Sequence, residues 1–304
     1  MSKTFILGVG AQKGGTTWLH RQLNSNHNID MGFQKEYHVF DSLEGFGRDF
    51  GENQFLKDPN NRFRRNRIKA IQNLINKDKI GKNRSLKRAK RNQHAALELS
   101  FIDNIENYFN YFDYLYLKNE KIEAVGDITP NYAILSPKTF RLIKKGLEER
   151  GFEIKVFYLM RDPVERVWSS ARMRKRKMRK KDKNASYDEF QKLIDPFGNP
   201  KDSLQSRYER TIINLEKVFD PSNIFFGFYE DLFTRKTFKD IQSFLDLDIE
   251  PFDPSFIVNA SPKGHSIPED INCKMVQHFH ETYNFILDRY GEKMRNLWQG
   301  YSVL

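Results

Sequence analysis

Thr4–Val9 reads as a buried strand, Gly10–Gly15 as a glycine-rich turn, and Thr16–Asn24 as a helix with Trp18, Leu19 and Leu23 at helical spacing. A strand that turns on glycines into a helix aims backbone N–H groups and a helix N-terminus at one point, an arrangement suited to a phosphate. Short apolar runs recur at Ile122–Val125, Ile154–Met160 and Ile224–Tyr229, with helix-like stretches such as Ser136–Arg150 and Ser203–Phe219 between them. Strands separated by helices imply an α/β fold whose parallel sheet is buried on both faces. No internal repeat and no long Gly/Ser/Pro linker divides the 304 residues, so they read as a single domain, 1–304. Residues 45–118 read as a charged, helix-rich insertion between the first and second strands, more a lid or subdomain than a second fold.

The formal net charge of +11 is unevenly spread. Lys57–Arg91 holds fourteen Lys and Arg against two acids, and Arg172–Lys183 holds nine against one, leaving the rest of the chain net acidic. Two basic segments on an acidic body can be solvated faces or a funnel toward an anion, and charge alone does not separate a nucleic acid, a sulfated glycan and a charged cofactor. The single cysteine, Cys273, excludes an internal disulfide framework and a multi-cysteine zinc site. His278 and His280 stand two apart, a poor metal pair on a helix, and nothing in the sequence demands a metal. No apolar run approaches a membrane span and the N-terminus lacks a leader pattern, so a reduced, cytoplasmic compartment is expected.

The turn Gly8-Val9-Gly10-Ala11-Gln12-Lys13-Gly14-Gly15-Thr16-Thr17-Trp18 departs from a Walker A loop. That loop needs Lys directly after its last glycine, but Thr16 stands there and Lys13 lies inside the turn. The turn suits one 5′-phosphoryl group with a second group just beyond it, held by Lys13 and the Thr16 and Thr17 hydroxyls. Pro163 suits a first helical position with Asp162 as its cap, so Arg161 ends the strand before it and Ser169 lies in the helix after it.

Lys13-Gly14-Gly15-Thr16-Thr17-Trp18 resembles the 5′-phosphosulfate loop of the PAPS-dependent sulfotransferases, where PAPS is 3′-phosphoadenosine 5′-phosphosulfate. Lys-Gly-Gly is similar to the heparan sulfate branch and Thr-Thr-Trp to the cytosolic branch. The resemblance implies a P-loop NTPase-like three-layer α/β fold with a central parallel sheet flanked by helices. It implies PAPS as sulfuryl donor, with Lys13, Gly14, Gly15, Thr16, Thr17 and Trp18 at the 5′ end and Arg161 and Ser169 on the 3′-phosphate. Lys35-Glu36-Tyr37-His38-Val39-Phe40-Asp41 resembles the K-E-x-H-F-F-D segment of the heparan branch, which implies Glu36 as base, His38 as its rival, and Lys35, His38 and Asp41 toward the acceptor. Gly126–Tyr132 is similar to the family's E-K-[ST]-P-x-Y segment, with Ile128 where the glycan branch often has a substrate-contacting Lys. Ser261–His265 is similar to the K-G-R loop over the nucleotide, which places Lys263, Gly264 and His265 there, His265 replacing Arg as a pH-dependent contact.

The expected activity is transfer of a sulfuryl group from PAPS to a hydroxyl, less readily an amine, of an acceptor. The Lys-Glu-x-His segment tilts the acceptor toward a carbohydrate, and the basic segments toward an anionic one. Two other classes stay open on the residues alone: a P-loop nucleotide or small-molecule kinase, and a nucleic-acid-binding protein using the basic segments.

Overall fold

The computed structural model describes residues 3–44, 68–69, 71–72, 86–181, 200–250 and 267–304. Among these, five parallel strands form one sheet: β1 Lys3–Gly10, β2 Ile29–Asp30, β3 Ala124–Ile128, β4 Phe152–Met160 and β5 Ile224–Phe228, in the order β2-β3-β1-β4-β5. β1 is central and almost wholly buried, with Phe5 opposite Val125 of β3 and Ile154 of β4. The chain leaves β1 toward β2 and β3 on one side, then crosses to β4 and β5 on the other. The switch point therefore lies at the carboxyl end of β1, the place where open parallel sheets bind ligands.

Alternation along β1 sends Phe5, Leu7 and Val9 to one face and Ile6 to the other, and a separate apolar core grows on each. Helix α1, Thr16–Asn24, covers the second face with Trp18, Leu19 and Leu23. After the short helix α2, Phe40–Glu44, come α3, Leu86–Asp103, and α4, Ile105–Leu117. The first face is covered by α4 and by α5, Pro137–Glu148, whose Phe140, Ile143 and Leu147 are buried at helical spacing. Among the described residues, later helices include α6 Pro163–Lys181, α7 Pro200–Ser206, α8 Tyr208–Glu216, α9 Arg235–Leu245, α10 Glu269–His278, α11 His280–Tyr290 and α12 Lys293–Leu297. Of these, α9 joins α1 on the second face. The result is the three-layer α/β arrangement expected from the sequence.

Four expectations change. The two-residue β2 precedes the insertion, which thus lies between the second and third strands. β3 runs to Ile128 instead of stopping at Val125, because Asp127, polar in sequence, is fully buried and takes up hydroxyl hydrogen bonds. The helix expected over Ser203–Phe219 breaks at Arg207, whose backbone is not helical: Ser206 is bonded to Arg166 of α6, while Arg207 pairs with Glu281 of α11 at 2.8 Å. The insertion's final helix is not a lid, since Phe112 of α4 is fully buried and meets Phe5 edge to face at 5.0 Å.

Aromatic truncation at a fully packed site costs about 3–5 kcal/mol. Phe112→Ala is expected to destabilise the whole fold by that amount, read as one cooperative shift in urea unfolding. A detachable lid would leave the unfolding midpoint unchanged.

Candidate functional site

At the carboxyl end of β1 the backbone closes tightly on β4. The Ala11 amide donates to the Leu159 carbonyl at 2.6 Å and the Gly14 amide to the Ala11 carbonyl at 2.9 Å. A Cβ on Gly14 would collide with the Leu159 carbonyl, and Gly15 stands at φ +98° against Leu232, so neither position accepts a side chain. Lys13 itself is left-handed at φ 72°. The Trp18 and Leu19 amides both turn back to the Gly15 carbonyl. Among the described residues that leaves the Thr16 and Thr17 amides, at the start of α1, without a backbone acceptor. Trp18 packs edge-on against Phe233 at 5.6 Å.

Positive charge converges on this turn. Burial, reinforced by Arg176, Arg161, Arg172 and Lys35, lowers the Lys13 ammonium to about 8. No carboxylate pairs with Lys13 among the described residues. Arg161 follows β4, lies over the Tyr229 ring at 4.3 Å and meets Glu165 at 3.0 Å, with its Nε buried and without a partner. Arg172 of α6 also buries an unbonded Nε, and burial lowers its guanidinium. Asp162 caps α6 as expected, accepting from the Val164 and Glu165 amides at 2.9 and 3.2 Å. Ser169 is buried on the same helix. Open amides, a buried lysine without a carboxylate partner among the described residues, and glycines where side chains would collide together suit a polyanion.

The second wall is the segment Lys35–Asp41, irregular up to α2. Lys35 Nζ donates to Glu36 Oε1 at 2.5 Å, and His38 Nε2 faces Glu36 Oε2 at 3.3 Å. On its other side His38 Nδ1 meets Asp41 Oδ2 at 2.9 Å. Burial alone would raise the Glu36 carboxyl, but the His38 hydrogen bond and the Lys35 charge outweigh it and hold it at about 2. Burial would likewise discharge His38, but its bonds to Asp41 and Glu36 lift it to about 10. His38 is thus an imidazolium between two carboxylates.

Three residues of the Gly126–Tyr132 segment hold this wall. Thr129 Oγ1 accepts from the Tyr37 amide at 2.9 Å and donates to Asp127 Oδ1 at 2.6 Å. Asp127 Oδ2 accepts from Tyr108 and Tyr132 at 3.0 and 2.9 Å, and the Tyr132 hydroxyl accepts from the Val39 amide at 3.3 Å. Burial raises Asp127 to about 6 despite these bonds.

The structure brings Lys13, Arg161 and Lys35 into one electrostatic neighbourhood, and Glu36, His38 and Asp41 into one bonded group. Lys263, Gly264 and His265 lie outside the described residues, as do most of the first basic segment and the insertion's start. Arg172 and Arg176 were missed individually: they open the second basic segment, and only the path of α6 past Lys13 distinguishes them from its other cations.

The family model described as "Sulfotransferase domain" matches residues 3–261. A sulfotransferase from Alicyclobacillus acidocaldarius has a similar structure at 19% identity and TM-score 0.50, covering 92% of this chain and 93% of that one. The sulfotransferase domain of the Synechococcus PCC 7002 olefin synthase is similar at 16% identity and TM-score 0.50, covering 93% and 94%. No curated protein sequence matches the chain.

Thr129→Val leaves the buried Tyr37 amide and one Asp127 oxygen unbonded, at an expected cost of about 1–3 kcal/mol. Burial raises the folded-state pKa of Asp127 to about 6, so its contribution is present at low pH and lost as pH rises through about 6. The cost of Thr129→Val should therefore be larger at pH 8 than at pH 5, as read by urea unfolding at both. An equal cost at the two values would contradict the network.

Proposed function

This chain belongs to the sulfotransferase domain family, and on that premise we propose that it moves a sulfuryl group from PAPS to an acceptor hydroxyl, with Glu36 as the base and a carbohydrate as the acceptor class. The observation that carries the donor assignment is Lys13, desolvated among Arg161, Arg172 and Arg176 without a carboxylate of its own. A ligand with several negative charges supplies the missing counter-charge. Bound PAPS would supply an activated sulfuryl group, joined to phosphate as a mixed anhydride whose cleavage releases adenosine 3′,5′-bisphosphate.

The residues then divide the labour. The open amides of Thr16 and Thr17 and the Lys13 ammonium would hold the 5′-phosphate and offset the negative charge of the leaving bisphosphate. Arg161 and Ser169 read the 3′-phosphate, a bidentate task for which a guanidinium is well shaped. Glu36 takes the proton of the attacking hydroxyl, while His38, already protonated, donates rather than accepts. His38 and Lys35 hold Glu36 ionised and weakly basic. Holding reactants in line is most of the catalysis, because the sulfur chemistry needs little covalent help. A kinase reading gains nothing here: the position after the last loop glycine is Thr16, and β4 runs into Arg161 rather than an acid.

Transfer of label from PAPS carrying radioactive sulfur to a panel of saccharides, phenols and tyrosine peptides tests the activity and the acceptor class together. Label on saccharides is expected; label confined to phenols would replace the carbohydrate assignment, and none on any acceptor would reject the transfer. Glu36→Gln should lower kcat roughly 10²–10⁴-fold while affinity for adenosine 3′,5′-bisphosphate stays near wild type. Since Glu36 titrates at about 2, the wild-type rate should show no acid limb between pH 5 and 7. A limb near pH 6.5, with an active Glu36→Gln, would transfer the base to His38. Arg161→Ala should weaken adenosine 3′,5′-bisphosphate far more than adenosine 5′-phosphate in calorimetry, and equal losses would reject its 3′ role.

A further inference from the structure

We propose that Asn131 and Gln205 are positioning residues, a two-amide relay that fixes the His38 ring and, through it, the Glu36 carboxylate. The proposal rests on the reading of Glu36 as base. Gln205 Nε2 donates to Asn131 Oδ1 at 2.8 Å, and Asn131 Nδ2 donates to Asp41 Oδ2 at 2.9 Å while lying 3.5 Å from His38 Nδ1. Asp41 Oδ2 in turn holds His38 Nδ1, whose ring presents Nε2 to Glu36.

The direction of this chain is fixed by chemistry. An ionised carboxylate only accepts, so Asn131 must turn its NH₂ toward Asp41 and its carbonyl toward Gln205. Gln205 must then donate, which leaves its own Oε1 buried and without a partner. Gln205 is only 1% exposed, so that orphan carbonyl carries a desolvation cost that a methionine there would avoid. Packing alone therefore favours an apolar side chain at 205, and a glutamine is explained by what its NH₂ donates to. The fold holds the donor firmly: Arg166, fully buried in α6, donates through Nε to the neighbouring Ser206 at 2.6 Å. The relay thus ties a helix far along the chain to the acceptor-side wall. Among the described residues, the charged groups that act on His38 include Glu36 and Asp41 on its own segment and Asp127 on β3, and neither relay residue titrates.

Two readouts test it in the full-length protein. The first is the downfield proton NMR signal of His38 Nδ1–H, identified by its loss in His38→Asn. The second is bisphosphate release from PAPS with the acceptor identified by label transfer. Gln205→Glu keeps the shape but cannot donate when ionised, Gln205→Met keeps the bulk and removes both the donor and the orphan carbonyl, and Asn131→Asp sets one carboxylate against another. Each should broaden the His38 signal and lower kcat roughly 10- to 100-fold, the scale of a small misplacement of reacting groups, with an unchanged KM for PAPS. Gln205→Met should fold at least as stably as wild type. A wild-type signal and wild-type turnover in Gln205→Met would overturn the relay. The signal is read without donor or acceptor, so a wild-type protein that turns over no PAPS would reject the function above while the spectra still decide the relay.

Discussion

Positive charge gathered at the carboxyl end of β1 is the constraint around which the site is organised. A buried lysine among guanidinium groups is unfavourable by itself, and the fold tolerates it because rigid elements supply each neighbour. Lys13 is set by a glycine turn pressed onto β4, Arg161 by the end of that strand, and Arg172 and Arg176 by the helix that follows. Repulsion among these cations is relieved when an anion enters, so the geometry stores selectivity for a multiply charged ligand.

The wall formed by Lys35–Asp41 solves the opposite problem. Glu36 and Asp41 would repel across a short distance, and the His38 imidazolium between them converts repulsion into two charged hydrogen bonds. Asp127 is the anchor beneath, spending its buried acceptors on Thr129, Tyr108 and Tyr132, which hold the Tyr37 and Val39 backbone. Stability and positioning are the same interactions here. Loss of packing at Tyr108 or Phe112 in the insertion's last helix would reach Glu36 and His38 through Tyr37, which touches both rings.

The sheet, its glycine turn and α1 were legible because each obeys a local rule: apolar runs, glycines at a turn, and a helical apolar stripe. The capped start of α6 was legible for the same reason, through Asp162 and Pro163. The extent of β3 was not, since Asp127 reads as a strand breaker until its hydroxyl partners, distant in sequence, are placed around it. The edge strand β2 is too short to leave a pattern. Glu36, His38 and Asp41 were visible as a family-like string, but their mutual bonding depends on the left-handed turn at His38. Asn131 and Gln205 carry no motif at all: they stand 74 positions apart and meet only because α7 docks against the turn after β3.

The central claim is that the turn holds a protonated lysine waiting for phosphate charge. Lys13 titrates at about 8 when free, and bound phosphate should raise that value, so binding takes up a proton and weakens as pH rises above 8. Both phosphates of adenosine 3′,5′-bisphosphate are already fully charged in that range, because their second ionisation lies near 6. Calorimetric titration of the bisphosphate between pH 7 and 9.5 reads this directly. Wild type should lose about tenfold or more in affinity over the range, while Lys13→Ala should bind weakly and almost independently of pH. A wild-type affinity that stays constant to pH 9.5 would contradict the account.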